Sequence, residues 1–118
     1  MIIDRRPWGD FRRFTADEKC TVKIVRIKPG RRNSLQYHRY RKEFWYVIDG
    51  RAKLRIGNRN VVAERGDSFV IPIGALHRWG ALKKPVTILE IAYGKFDEND
   101  IVRVEDDYGR KGGHCAAT

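Results

Sequence analysis

Two stretches of this chain space polar side chains so that they could gather around one metal ion. The first runs Gly30-x5-Gln36-x-His38-x4-Glu43-x6-Gly50, and the second runs Gly66-x5-Pro72-x-Gly74-x2-His77. Together they offer an amide oxygen, two imidazoles and a carboxylate. That donor set suits a borderline divalent cation: Zn²⁺ first, with Mn²⁺, Co²⁺, Fe²⁺ or Ni²⁺ also compatible. Gln36 and His38 are two residues apart, so on an extended strand both point to one face. Glu43 follows Arg41-Lys42 and needs a bend or hairpin to return to that face. His77 comes from a separate segment, aimed by the Pro72-x-Gly74 turn. Singly, these residues say little. A lone histidine on a strand more often makes a hydrogen bond than ligates, amides are uncommon transition-metal ligands, and Glu43 could pair with Arg41 or Lys42. The joint spacing, flanked by turn-forming glycines and a proline, favours a metal. Such a set leaves coordination positions open for water or a substrate oxygen.

A framework of strands is needed to bring these side chains together. Cys20 to Ile27 alternates polar with β-branched residues and ends at Pro29-Gly30. Glu43 to Ile48 is aromatic and β-branched and ends at Asp49-Gly50, a hairpin signal. Arg51 to Ile56 runs to the Gly57-Asn58 turn, and Asn60 to Ala63 precedes the Arg65-Gly66-Asp67 turn. Ser68 to Ile71, Leu76 to Trp79 and Val86 to Ala92 complete the series. No segment keeps a helical period. Short strands at regular spacing predict an all-β sandwich or barrel. Arg6-Pro7-Trp8-Gly9 reads as a fixed turn, with Trp8 expected to cover one end of the core. Phe96 to Arg110 mixes both signs of charge and falls outside the strand pattern. Lys111 to Thr118 reads as a loose tail, which makes its His114 and Cys115 incidental.

The 118 residues suffice for one domain, expected over 1–110, with 111–118 as the tail. At 42% hydrophobic, with three Trp, five Tyr and five Phe, the chain can bury a core and is not of the disordered class. No apolar run is long enough to cross a membrane, and Met1 to Arg6 lacks the apolar stretch of a signal peptide. Two cysteines make a disulfide framework an unlikely basis for the fold, so a reducing cytoplasmic location is the expectation. The net charge of +10 favours anionic partners. Lys and Arg are scattered, however, and alternate with apolar residues as in Lys23-Ile24-Val25-Arg26-Ile27-Lys28. That is the pattern of a solvated strand face, which leaves nucleic acid as a minor reading.

The two segments resemble the paired cupin motifs, with Gln36 where many cupins carry the first histidine. The string Ser34-Leu35-Gln36-Tyr37-His38, then Glu43-Phe44-Trp45, with Ile71-Pro72-Ile73-Gly74-Ala75-Leu76-His77-Arg78, is similar to the type II phosphomannose isomerases. In that family this cupin forms the C-terminal part of bifunctional mannose-1-phosphate guanylyltransferases. Arg6-Pro7-Trp8-Gly9 and Asp100-Ile101-Val102-Arg103-Val104-Glu105-Asp106-Asp107-Tyr108-Gly109-Arg110 resemble two further blocks, so the likeness runs in order from residue 6 to residue 110. It implies a cupin double-stranded β-helix (a jelly-roll barrel), a homodimer, and one divalent metal held by Gln36, His38, Glu43 and His77. It also implies interconversion of mannose 6-phosphate and fructose 6-phosphate. Tyr40 stands where members commonly have another histidine; as that is not a ligand position, metal binding should survive while proton handling or substrate fit could change. No glycine-rich phosphate loop occurs, so guanylyl transfer is not expected of this chain.

That isomerisation removes a proton beside a carbonyl and returns it to the neighbouring carbon through a cis-enediol. A metal would polarise the carbonyl and stabilise the enediolate charge, and an acid–base group must lie within hydrogen-bond reach. Lys42, Tyr40, Glu90 and a water on the metal all stay open for proton transfer; Lys42, Tyr40 and Arg103 form the catalytic expectation. The substrate phosphate calls for arginine forks, for which Arg41, Arg78, Arg103 and Arg110 are the candidates. Each could equally be a solvated surface arginine, with Arg103 and Arg110 favoured for function. Ser34 could contact a sugar hydroxyl or cap a turn. Trp45 and Phe69 are expected in the core and Trp79 at the barrel mouth. Two other readings compete: a non-catalytic sugar- or anion-binding cupin, kept open by Tyr40, and a metal dioxygenase. Gln36 argues against the latter, because redox cupins usually use three histidines.

Overall fold

The computed structural model describes residues 1–112, so His114 and Cys115 lie outside the described residues. Among the described residues every regular element is a strand. An N-terminal hairpin of β1 (Ile2–Arg6) and β2 (Gly9–Arg13) turns at Pro7-Trp8 and pairs only with itself. The body follows as β3 (Cys20–Ile27), β4 (Leu35–Tyr37), β5 (Lys42–Asp49), β6 (Ala52–Ile56), β7 (Arg59–Ala63), β8 (Ser68–Ile71), β9 (His77–Ala81), β10 (Val86–Tyr93) and β11 (Val102–Glu105). They form one sheet in the order β3-β10-β5-β8 and another in the order β11-β4-β9-β6-β7. All pairings are antiparallel, and from β3 to β11 the chain crosses between the sheets at every step except the β6–β7 hairpin, as in a jelly roll.

The core lies between the sheets and follows from strand alternation. Val47, Ile71, Val86 and Ile88 enter from the first sheet, and Ala52, Leu54, Ala63 and Ala81 from the second. Trp45 and Trp79 meet across the gap, with ring centroids 4.4 Å apart. Trp79 is 3% exposed and therefore belongs to the core, not to the barrel mouth. Being two residues from the buried His77 on one strand, it must share that inward face. Phe69 packs against the same cluster, as its alternation indicates.

Trp8 does not cover the core. It is 75% exposed at the hairpin tip and stacks on Phe11, 6.5 Å away. A two-residue loop between self-paired strands points away from the body. The packing contact is made at the hairpin's base instead, where Phe14 meets Phe44 at 5.9 Å and Tyr46 at 5.2 Å. The mixed-charge segment also conceals a strand: β11 pairs with β4, and its Arg103 exchanges backbone hydrogen bonds of 2.7 and 2.8 Å with Gly112.

Gly50 ends the hairpin signal as expected. Its φ of +85° lies in the left-handed region, and a Cβ there would run into the carbonyl oxygen of Pro85. Gly74, with φ +80°, donates its N–H to the His38 carbonyl at 2.9 Å. The turn that delivers His77 is thus tied directly to the segment that carries His38.

Candidate metal centre

Three strands supply the cluster. Gln36 is the middle residue of β4, His77 opens β9 directly opposite it, and Glu43 lies near the start of β5 in the facing sheet. His38 follows β4 by one residue. His38, Glu43 and His77 are all buried, with ligand atoms within 4.8 Å of one another. Nε2 of His38 is 3.6 Å from Oε2 of Glu43, and Nε2 of His77 is 3.8 Å from Oε1.

The imidazoles are oriented by their other nitrogens. Nδ1–H of His38 donates to the Asp100 carbonyl at 2.6 Å, and Nδ1–H of His77 to the Ala75 carbonyl at 3.0 Å. Both Nε2 lone pairs are thereby aimed into the cluster, as when a metal-binding histidine gives its other ring N–H to a carbonyl. Burial pushes His77 down to about 3. Burial, and then the charge of Arg41, lower His38 as well. Both rings are therefore neutral donors at neutral pH.

Gln36 adds its amide beside His77, with nitrogen 3.4 Å from Nε2. Its oxygen takes a 2.5 Å hydrogen bond from the Ser34 hydroxyl. A half-turn of the amide would put the oxygen on the His77 side, and Ser34 could then accept from the amide nitrogen, since a hydroxyl does both. Ser34 is fully buried and spends its hydroxyl on this side chain. The donors present (two neutral imidazoles, a buried carboxylate and an amide oxygen) fit Zn²⁺ or a similar divalent ion.

Glu43 sits in a network of its own. It accepts from Trp45 Nε1 at 3.2 Å and from Arg41 Nε at 3.0 Å. Glu90, on β10 opposite Trp45, is pushed up to about 8 by burial and by the charge of and hydrogen bond to Glu43. It is thus a neutral acid at neutral pH, holding a proton at the edge of the cluster. Asp100, which sequence reasoning named only as part of the terminal block, shapes the His38 turn: its carboxylate accepts the N–H groups of Arg39 and Tyr40 at 2.8 and 3.0 Å.

The remaining expected site residues divide clearly. Arg103 is 9% exposed and stands directly opposite Gln36, so a row of Arg103, Gln36 and His77 crosses β11, β4 and β9. Its Nε and Nη1 are buried without a hydrogen-bond partner. Arg41 is brought in as well, at 6% exposure. Lys42 is not. It precedes the inward Glu43, projects outward and lies over the Tyr93 ring at 5.3 Å. Tyr40 is 74% exposed, outside the cluster. Arg78 has the opposite parity to His77 and bonds the Asn33 carbonyl and Glu105, both at 3.0 Å, on the outer side of β9. Arg110 is engaged with Asp106, at 3.0 Å from Nε.

Comparison with known proteins converges on the same architecture. Residues 3–106 match the family model described as Mannose-6-phosphate isomerase C-terminal. Over 107 residues the chain is 37% identical to the Mannose-1-phosphate guanylyltransferase ManC of Salmonella typhimurium, covering 89% of this chain and 22% of that protein. It is equally 37% identical over 107 residues to the Xanthan biosynthesis protein XanB of Xanthomonas campestris pv. campestris, covering 89% of this chain and 23% of that one. The chain thus spans less than a quarter of the length of these relatives. A crystal structure described as a sugar phosphate isomerase from a cupin superfamily, from Silicibacter pomeroyi, superposes with a TM-score of 0.59 at 28% identity, covering 64% of this chain and 51% of that one. With the matched residues spanning both motifs and both sheets, the chain belongs to the mannose-6-phosphate isomerase C-terminal family and has the cupin double-stranded β-helix fold.

Proposed function

We propose that this domain is a metal-dependent aldose–ketose isomerase that interconverts mannose 6-phosphate and fructose 6-phosphate. The observation that carries the reading is the row of Arg103, Gln36 and His77, which aligns a buried guanidinium, its Nε and Nη1 without a hydrogen-bond partner, with the convergent His38–Glu43–His77 donors. An anionic, oxygen-rich substrate answers both halves of that pocket. Gln36, His38, Glu43 and His77 would hold the ion, with Zn²⁺ favoured by the pair of imidazoles beside a carboxylate. When bound, the ion supplies Lewis acidity at the substrate's carbonyl and hydroxyl oxygens.

The chain's own residues do the rest. Arg103 holds the negative charge of the sugar phosphate or of the enediolate in a site shielded from water. Glu90, neutral near pH 7, is the acid that gives a proton to the carbonyl oxygen and recovers one from the neighbouring hydroxyl, while the carbon-bound proton passes from C2 to C1 through a water in the cluster acting as base and then as acid. Ser34 positions Gln36. Lys42 and Tyr40, both outside the cluster, are given no part in the chemistry.

The test is formation of fructose 6-phosphate from mannose 6-phosphate by the Zn²⁺-loaded protein. Activity should vanish with chelator, and Arg103→Met should lower kcat/KM by roughly 100-fold or more, the scale of a lost charge-stabilising donor. A second reading, a sugar-phosphate-binding module without turnover, is favoured by the absence of Lys42 and Tyr40 from the pocket. Tight metal and hexose-phosphate binding with no isomerisation would decide for it.

A further inference from the structure

Within the cluster, one cation of the chain itself already bridges two of the proposed ligands. The Nε of Arg41 donates to Glu43 Oε2 at 3.0 Å, and its Nη2 lies 3.3 Å from Nε2 of His38. Since Nδ1–H of His38 is committed to the Asp100 carbonyl, that Nε2 carries the lone pair. The guanidinium therefore lies on the side of His38 from which a metal would be bound. We propose that Arg41 is a built-in counter-ion that holds the donor set together in the metal-free protein and must withdraw from His38 when a divalent ion enters, so that this residue sets the site's metal affinity. The inference rests on reading the cluster as a metal centre and is independent of the isomerase activity.

The physical grounds are charge balance and geometry. Glu43 is 1% exposed, and a carboxylate buried that deeply needs a compensating cation. Without a metal, Arg41 provides it. A zinc–imidazole bond of about 2.0–2.1 Å lies along the direction that Nη2 faces, and two positive groups on one lone pair repel. The side chain also has somewhere to go. Its guanidinium carbon already lies 4.5 Å above the Phe96 ring, and Nη1 reaches the Asp97 carbonyl at 3.3 Å. A small shift toward that aromatic face and carbonyl releases His38 while keeping the Nε contact to Glu43, which can bind an ion through its other oxygen.

Arg41 is a positioning residue in this account, and its test is read on binding and stability rather than turnover. Protein stripped with chelator would be titrated with Zn²⁺ against a chromophoric chelator, for the parent and for Arg41→Met and Arg41→Lys. Arg41→Met should bind Zn²⁺ roughly 10-fold tighter or better, on the scale by which groups behind metal ligands tune affinity. Its metal-free form should melt at a lower temperature than the parent, so that Zn²⁺ raises its Tm by more. Arg41→Lys keeps a charge for Glu43 but has no second nitrogen for His38. It should fold without metal and still bind Zn²⁺ more tightly than the parent, which keeps the test usable if the Met variant fails to fold. Unchanged or weaker Zn²⁺ affinity in the folded variants overturns the inference while leaving the metal centre standing. Absence of Zn²⁺ binding in the parent overturns both.

Discussion

His77 and Glu90 show how burial, more than any charged partner, prepares this cluster. Burial keeps His77 and His38 neutral and keeps Glu90 protonated. The signs of these shifts oppose one another in stability. Below the ordinary histidine value of 6.5, an unfolded chain takes up protons that the two buried rings refuse, so the metal-free fold weakens as pH falls. Between 4.5 and about 8, Glu90 is protonated when folded and ionised when unfolded, so its contribution is lost as pH rises. Each group contributes a slope of up to about 1.4 kcal/mol per pH unit. Two histidines outweigh one glutamate below 6.5, and Glu90 acts alone above it. Urea unfolding of the metal-free protein should therefore show a maximum near pH 6.5. Glu90→Gln should remove the decline between pH 6.5 and 8, and a variant that keeps the full decline would show that another group causes it. The convergence of His38, Glu43 and His77 was legible because motif spacing survives in sequence. Lys42 was misplaced through its nearness to Glu43, although strand parity sends neighbours to opposite faces. Arg41, two residues before Glu43, falls on the inward side by the same parity and reaches the carboxylate.

Among the elements, strands with clean alternation and glycine-marked ends were readable: β3, β5, β6, β7, β8 and β10 fall within a residue or so of expectation. β11 was hidden because its buried residue is the charged Arg103 while Val104 is exposed, the reverse of the usual alternation, so pairing with β4 defines it more than propensity does. β1 and β2 were missed as strands because neither buries a clear face; only the turn between them showed. Two tryptophans, Trp45 expected in the core and found there and Trp8 expected to cover it and found exposed, mark the two extremes of packing. Trp45→Ala should cost about 3–5 kcal/mol, since it would empty the space between the sheets beside Trp79 and His77. Trp8→Ala, at the hairpin tip, should change stability by no more than about 0.5 kcal/mol. Urea midpoints of the two variants check this directly, and a loss at Trp8 comparable to that at Trp45 would mean that the hairpin tip is packed against something.

The chain as a unit carries a net charge of +10, and most of it is spent on outer strand faces. Arg55 and Arg78 stand opposite each other outside the second sheet, while inside the barrel Glu43 and Glu90 face Arg41, and Arg103 is buried as well. The fold therefore separates a solvated basic exterior from a small, mixed-charge interior that contains the His38–Glu43–His77 cluster. Cupin topology is what makes this possible, since it brings a strand from each sheet to one end of the barrel. The central claim is that a single ion, held by residues of both motifs, meets the sugar phosphate. Visible absorption of the Co²⁺-substituted protein tests it most directly, because the bands report the ion's ligands. One equivalent of Co²⁺ per chain should produce bands that shift when mannose 6-phosphate is added and that are lost in His77→Ala. Bands that persist without His77, or that ignore the sugar phosphate, would contradict it.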